Sequence, residues 1–146
     1  MPSAPTLRIA AYLVLRRDGE ILLLKRFNTG YEDGKYSLIA GHVEHFESPS
    51  QAIVREAREE VGIEVAIEDL RFVKVVHRQC PDNLVFVDYF FEASRWNGEP
   101  GISEPEKCSD LIWVPANSIP ADAIPYVKSV LTSCRQHPEA LLEYGW

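Results

Sequence analysis

Three glutamates lie close together in the sequence, at spacings that would bring their carboxylates onto one face of a helix. Glu56, Glu59 and Glu60 stand at i, i+3 and i+4, and residues at these spacings are neighbours on a helix surface. Like charges placed so closely repel each other, and carboxylate oxygens are the ligands that Mg²⁺ prefers. The spacing therefore indicates a divalent-metal site, although a solvated helix face in which Arg55 pairs with Glu59 would look similar.

The helix that must position these acids is well marked. Ser48 is a suitable N-cap, Pro49 a suitable first helical residue and Gln51 a capping-box partner. Gly62 is typical of a helix C-terminus. An apolar stripe at i, i+4 and i+8 would anchor the helix on a core, and its members are Ile53, Ala57 and Val61.

The stretch from residue 41 to residue 63 carries two more acids ahead of the helix, Glu44 and Glu47. Its pattern of glycines, glutamates and arginine resembles the signature of the Nudix (MutT-like) hydrolases. The matching residues are Gly41, Glu47, Arg55, Glu56, Ala57, Glu59, Glu60, Gly62 and Ile63. Ala57 is smaller than the usual aliphatic residue at its position, and the other matches follow the pattern.

The resemblance implies a fold, an activity and a cofactor. The fold is α/β (α+β), a Nudix-type α/β/α sandwich with a mixed β-sheet and a loop–helix–loop catalytic motif. The activity is hydrolysis of a nucleoside diphosphate linked to another moiety X, by attack of water on phosphorus, giving a nucleoside monophosphate and P–X. The cofactor is Mg²⁺ or Mn²⁺. The alternatives are a catalytically silent nucleotide-binding module and a pyrophosphohydrolase that acts on the 5′ end of RNA.

The resemblance also assigns roles to individual residues. Glu56, Glu59 and Glu60 match the family's metal ligands, as does the backbone carbonyl of Ala40. Arg55 is expected to orient Glu56 or to pair with the motif's first glutamate, since its planar fork suits that role.

Two further assignments stay open at the level of sequence. Glu47 is either structural or an outer ligand of the metal. A general base is expected from the motif helix or from a later loop, where Glu104 and Glu106 are both candidates, and spacing does not choose between them.

Substrate contacts are predicted from side-chain chemistry. Arg26, at a strand end, could meet phosphate, and Tyr31 could stack on a base. His77 and Arg78 could bind phosphate or ribose. Asp88 stands among apolar residues in a strand, where a carboxylate needs a partner, and it could accept a hydrogen bond from the amino group of a base. A solvated or structural role is the alternative for each.

The remaining chain predicts strands and a second helix. Apolar runs at 7–16 and 21–26 flank an Asp-Gly hairpin turn, and the run at 84–93 predicts a central strand. The other predictions, in chain order, are a loose leader at 1–5, a loop at 28–35, a strand at 36–40, one or two strands at 64–76, a loop at 77–83, a loop at 95–109, a strand at 111–114, a helix at 126–135 and a segment at 141–146 that either docks or hangs free.

Composition narrows the class of protein. The 146 residues predict a single domain over 1–146 with a sizeable core. The net charge of −7 argues against broad binding to nucleic acid or anionic membranes, so the expected partner is a small nucleotide. Three cysteines without metal-site spacing favour a reducing, cytoplasmic compartment, and no apolar run is long enough for a membrane span. A homodimer is expected only from the family resemblance.

Overall fold

The structure is a computed structural model that describes residues 3–81 and 83–146, and it begins with the predicted hairpin. β1 (Thr6–Arg17) and β2 (Glu20–Arg26) pair antiparallel at their connected ends. Asp18 and Gly19 both have positive φ, 53° and 79°, as in the two-residue turns whose twist matches that of the strands. The hairpin prediction is confirmed.

The other elements follow in chain order. The strands are β3 (Tyr36–Ser37), β4 (Ile39–His42), β5 (Arg71–Cys80), β6 (Leu84–Ala93), β7 (Cys108–Pro115) and β8 (Leu141–Tyr144). The α-helices are α1 (Pro49–Val61) and α2 (Pro125–Gln136), and one turn of 3₁₀ helix spans Ile67–Asp69. Within the described residues no helix has the length and apolar character needed to cross a lipid bilayer.

The strands form a mixed sheet in which β1 joins two parts. One part has the order β4–β1–β6–β5–β8, and in the other β2 lies between β3 and β7. The β1–β6 and β5–β8 pairs are parallel, and the remaining pairs are antiparallel. β6 pairs with β1 along its whole length and with β5 on its other side, so the predicted central strand is confirmed.

One helix covers each face of the sheet, because alternate residues of the strands point to opposite sides. Leu13 and Leu15 of β1 join the core under α1, whereas Val14 joins the core under α2. The α1 side is completed by Ile39, Ala52, Ile53, Ala57, Val61 and Phe91. The α2 side is completed by Leu23, Val76, Phe90, Val127, Val130 and Leu131. The predicted α/β/α sandwich is confirmed.

Several predicted boundaries are wrong. The single strand expected at 36–40 is interrupted at Leu38. The loop expected at 77–83 is mostly strand, because β5 continues to Cys80 between β6 and β8. One or two strands were predicted at 64–76. The chain ahead of β5 forms an isolated β-bridge from Glu64 to Asn97 and the 3₁₀ turn, in place of a second strand. Residues 1 and 2 of the predicted leader, and residue 82 of the predicted loop, lie outside the described residues.

A hydrogen bond ties β3 to β7. The Tyr36 hydroxyl donates to Asp110 Oδ2 at 2.5 Å. This bond is the main reason that the pKa of Tyr36 rises to about 12 and that the pKa of Asp110 falls below its usual value. The lowered carboxyl pKa stabilises the fold above about pH 4, and this is lost as pH falls. The raised phenol pKa stabilises the fold below about pH 10, and this is lost as pH rises towards 12.

A buried lysine ties the end of α2 to β5. Lys74 is almost completely buried, and its Nζ donates to the carbonyl of His137 at 2.7 Å and to Ser133 Oγ at 3.3 Å. His137 is the C-cap of α2, where carbonyl groups lack helical partners and a cation is favourable. The lysine therefore compensates the negative end of the helix.

Candidate active site

The acidic helix α1 begins and ends as predicted. Ser48 Oγ accepts from the backbone N–H of Gln51 at 3.2 Å, and Gln51 Oε1 accepts from the N–H of Ser48 at 2.8 Å. Pro49 occupies the first turn, and Gly62 ends the helix in the left-handed conformation with φ of 71°. This capping box and glycine stop fix the register of the helix.

Strand β4 packs its glycine, Gly41, directly against a motif glutamate. A Cβ at position 41 would lie 2.2 Å from both Cδ and Oε1 of Glu56, closer than two such atoms can approach. Burial raises the pKa of Glu56, while its hydrogen bond from Arg55 opposes this. Gly41 therefore provides the space in which the Glu56 carboxylate lies.

Glu60 reaches from α1 to β4. Its Oε2 accepts a hydrogen bond from the backbone N–H of Ala40 at 3.3 Å. Burial, followed by the nearby charge of Glu56, raises the pKa of Glu60 well above its usual value. Ala40 was predicted to offer its carbonyl to the metal. Its N–H contacts Glu60, which was predicted to be a carboxylate ligand.

Arg55 lies among the motif carboxylates. Its Nε and Nη2 each donate to Glu47 at 2.9 Å, one to each carboxylate oxygen. Its Nη1 donates to Glu56 at 2.7 Å and to Glu59 at 3.2 Å, and Nη2 also donates to the carbonyl of His42 at 3.1 Å. The guanidinium thus holds both partners that were predicted for it, and Glu47 anchors it in place.

The loop after β6 brings one of the two candidate bases to the helix. The N–H of Ser103 donates to the carbonyl of Glu60 at 3.1 Å, which places the loop beside α1. Glu104 is half-buried, and it contributes to the raised pKa of Glu60 after burial and Glu56. Glu106 is exposed, and of the two acids Glu104 is the one that acts on the motif carboxylates.

Arg26, the last residue of β2, and Tyr31, in the loop that follows it, lie together. Arg26 Nε donates to the carbonyl of Tyr31 at 2.6 Å, its Nη2 donates to Thr29 at 2.9 Å, and its guanidinium carbon lies 5.2 Å from the centre of the Tyr31 ring. Its charge lowers the pKa of Glu60 as a minor contribution beneath burial. Arg26 and Tyr31 also act on the pKa of Tyr12, which packs on the α2 side. Among the described residues no hydrogen bond joins Arg26 or Tyr31 to the motif carboxylates, so their predicted substrate contacts stay predictions.

The other three predicted substrate residues make no hydrogen bond or ion pair with the motif carboxylates in the part of the chain that the structure describes. Asp88 is fully buried on the α2 side, where its Oδ2 accepts from Arg78 Nε at 2.8 Å and from the Tyr126 hydroxyl at 2.6 Å. His77 points to the other face, with its ring 5.0 Å from that of Trp146. Asp88 has no exposed surface, and its Oδ1 has no hydrogen-bond partner among the described residues. The predicted contact with a base would therefore require the side chains that cover Asp88 to move.

Comparison with known proteins decides the family. The model of the NUDIX domain matches residues 5–133. The chain belongs to the Nudix family. Its acidic stretch is therefore the Nudix motif, and enzymes of this family generally use a divalent metal.

Several named Nudix proteins align with most of this chain. The 8-oxo-dGTP diphosphatase of Escherichia coli K12 is 29% identical over 116 residues, 78% of this chain and 88% of that protein. The NAD-capped RNA hydrolase NudC of Pseudomonas aeruginosa is 32% identical over 116 residues, but this chain spans only 39% of its length. Among solved structures, a MutT NUDIX hydrolase from Burkholderia pseudomallei has a TM-score of 0.79 at 28% identity, over 87% of this chain and 97% of that one.

The Nudix motif of this chain fits a divalent ion by its chemistry. Carboxylate oxygens crowd one helical turn, and Gly41 leaves room for the Glu56 carboxylate. No three His, Cys, Asp or Glu side chains of the described residues already form a metal cluster; instead, Arg55 Nη1 bridges Glu56 and Glu59. The guanidinium supplies positive charge beside the carboxylates that would hold a divalent cation.

Two features of the site were missed from the sequence. The close packing of Gly41 against Glu56 depends on how β4 approaches α1, which no local pattern reveals. Phe46 was also passed over, although an aromatic residue between two acids in a tight loop is unusual enough to have drawn attention. Its side chain is 96% exposed.

Proposed function

We propose that this chain is a Mg²⁺-dependent pyrophosphohydrolase that cleaves a nucleoside diphosphate linked to a moiety X into a nucleoside monophosphate and P–X. One observation carries the proposal. Glu56, Glu59 and Glu60 share one turn of a capped helix, and the charge beside them is supplied by a positioned arginine. On an isolated, solvated helix face, no acid would be held against a neighbouring strand. Here Glu60 is hydrogen-bonded to Ala40 of β4.

The residues that would hold the ion are the three motif glutamates and the Ala40 carbonyl. When bound, the metal would offset charge on the diphosphate and lower the pKa of the attacking water. Mg²⁺ suits this all-oxygen set, and Mn²⁺ accepts the same ligands. In phosphoryl chemistry, positioning and charge stabilisation supply most of the rate enhancement.

Side chains of the protein would orient the metal ligands, accept a proton and bind the substrate. Arg55 orients Glu56 while Glu47 holds the guanidinium in place. Glu104 is our candidate to accept the proton of the attacking water, since its loop is hydrogen-bonded to α1. Arg26 would meet a phosphate and Tyr31 would stack on a ring, and these two side chains lie in contact with each other.

A substrate panel tests the proposal. The protein is incubated with Mg²⁺ and deoxynucleoside triphosphates including 8-oxo-dGTP, nucleotide sugars, ADP-ribose, NAD⁺ and a 5′-triphosphorylated RNA. We expect at least one free nucleotide to be cleaved and Glu60→Gln to lower kcat/KM by about 100-fold or more. Glu68→Gln, a neutralisation of an exposed acid in the 3₁₀ turn, is the matched control. Hydrolysis in H₂¹⁸O then shows which phosphorus receives the water oxygen.

Three results would count against this function. Tight nucleotide binding without turnover would favour a silent binding module. Faster cleavage of the RNA than of any free nucleotide would favour the 5′-end activity, which the net charge of −7 disfavours. Equal rates for wild type and Glu60→Gln would show that the proposed metal site takes no part in the reaction.

A further inference from the structure

One side of the sheet carries large apolar side chains that the fold leaves exposed. Helix α1 lies over β1 and β4 and buries apolar residues beneath it. The same side of the sheet continues over the first residues of β1 and across β6, β5 and β8, where large apolar residues are in solvent. We call this surface the open face: the α1 side of β5, β6, β8 and residues 6–9, together with Trp146.

The strand registers decide which exposed side chains share the open face. Leu7 and Ile9 alternate with the residues that point to the α2 side, and Ala11, next in their series, lies in the core under α1. Ile9 pairs with Val87 of β6, and Val87 pairs with His77 of β5. Because directly paired residues of neighbouring strands point to the same side, this row of the open face runs from β1 to β5.

A second row reaches the edge strand β8. Tyr89 of β6 packs against the core under α1 and pairs with Val75 of β5, which in turn pairs with Leu141 of β8. Leu141 therefore points to the α1 side as well. Phe72 extends the face at the start of β5, where it pairs with Phe91 and packs edge-on against its ring, 6.2 Å between centroids.

Trp146 covers one part of this surface. Its ring lies 5.0 Å from the ring of His77, and its Nε1 donates to the carbonyl of His77 at 3.0 Å. The indole is nevertheless 64% exposed. Trp146 thus adds apolar surface to the open face instead of closing it.

The exposed area is large enough for a specific interface. Five large apolar side chains of the open face are exposed: Leu7, Ile9, Phe72, Leu141 and Trp146. About half of each lies in solvent, and with about 150–200 Å² for a large side chain they present about 400–500 Å². With the half-buried side chains between them, two such faces would bury about 1,000 Å², the area that a specific interface needs.

The charges of the open face favour a second copy of this chain as the partner. In the described strands, the side chains of this face that can be charged near neutral pH are His77 and Glu143, which are paired in register. A face with one base and one acid is complementary to itself, because a two-fold rotation can set each against its counterpart. Nucleic acid needs several cations, and Glu143 and the net charge of −7 disfavour an anionic membrane.

We propose that two copies of this chain form a symmetric dimer by packing their open faces against each other. A two-fold interface uses the same surface on both copies, and two facing sheets pack with interdigitating side chains. The interface is separate from the proposed active site. Glu60 is hydrogen-bonded to β4, which pairs with β1 on the side away from β6, β5 and β8.

Sedimentation velocity of the full chain over about 1–200 μM tests the dimer. We expect the wild-type mass to rise with concentration from that of one chain, 16.6 kDa, to that of two. Leu7→Glu and Leu141→Glu place an acid on the open face at positions that are exposed in one copy. Because each substitution occurs twice in a symmetric dimer, each should raise the dissociation constant by about 100-fold or more.

Ile102→Glu is the matched control. It makes the same change at an exposed apolar residue in the loop that is hydrogen-bonded to the C-terminal end of α1, so it should keep the wild-type dissociation constant. Melting temperatures separate a lost interface from a lost fold, because a dimer melts at a higher temperature as its concentration rises. Wild type and Ile102→Glu should show this rise, and the two variants of the open face should unfold cooperatively without it.

Four results would overturn the proposal. The wild type could keep the mass of one chain at every concentration, or its mass could grow beyond two chains, which a closed two-fold interface does not allow. A dimer that Leu7→Glu and Leu141→Glu leave unchanged would have its interface elsewhere. Equal weakening by Ile102→Glu would show that the added negative charge, and not the open face, controls association. None of these results bears on whether the chain hydrolyses nucleotides.

Discussion

Replacing Gly41 by alanine should disable the site while leaving the fold intact. Gly41 does not use the left-handed conformation, so alanine introduces no backbone strain. Its methyl group would, however, lie 2.2 Å from Cδ and Oε1 of Glu56 and 2.7 Å from its Cγ. Because non-bonded carbon atoms need about 3.5 Å, the carboxylate must move by about 1 Å.

The size of the effect follows from that displacement. A misplacement of about 1 Å in a catalytic group costs on the order of 100-fold in rate, or about 2.7 kcal/mol in the activation free energy. For folding, the displaced carboxylate can lose its hydrogen bond from Arg55, and a hydrogen bond to a charged group is worth about 1.5–3 kcal/mol. Arg55 keeps its two bonds to Glu47, so we expect the variant to fold.

The assay measures kcat/KM, Mn²⁺ affinity by titration calorimetry, and the melting temperature. Gly101→Ala is the matched control, because Gly101 also lacks positive φ and a Cβ there would meet no atom within 4 Å. We expect Gly41→Ala to lose about 100-fold in kcat/KM and Gly101→Ala to be unchanged. A folded Gly41→Ala with wild-type activity, or equal losses in the two variants, would refute the placement of Glu56.

Two predictions concern stability. Tyr36→Phe removes the hydroxyl that bonds Asp110, so it should lower the free energy of unfolding by about 1–3 kcal/mol between pH 5 and 9. This difference from wild type should shrink as pH falls below about 4, because the lowered pKa of Asp110 makes protonation of its carboxylate oppose the folded state of the wild type. A difference that stays constant with pH in urea titrations would contradict the prediction. Lys74→Met keeps the apolar stem but leaves the carbonyl of His137 and the hydroxyl of Ser133 without their donor, so it should cost about 1–3 kcal/mol. Hydrogen exchange should then increase at the C-terminal end of α2, and unchanged protection there would contradict the capping role.

Local signals were enough to predict the helix that carries the site. The capping box at Ser48 and Gln51 and the stop at Gly62 depend only on neighbouring residues, as does the Asp-Gly turn between β1 and β2. Such signals act within a few residues of the chain. The sequence could therefore predict both elements without information about the rest of the fold.

Elements that depend on distant partners were harder to predict. The polar residues from His77 to Cys80 predicted a loop, yet Arg78 lies in a strand because its charge meets Asp88 on β6 and the rings of Phe86 and Tyr126. No local pattern contains that information. The sequence could not choose between Glu104 and Glu106 for the same reason. The position of their loop depends on a backbone hydrogen bond from Ser103 to Glu60 of α1, which is distant in sequence.

The position of Arg55 has a practical consequence. A helix that depended on an external ion to relieve its crowded negative charge would unravel in a chelator, but here the guanidinium already serves as a resident counter-ion. Stripping the enzyme with EDTA should therefore yield a folded, storable apoprotein, to which one metal after another can be added back.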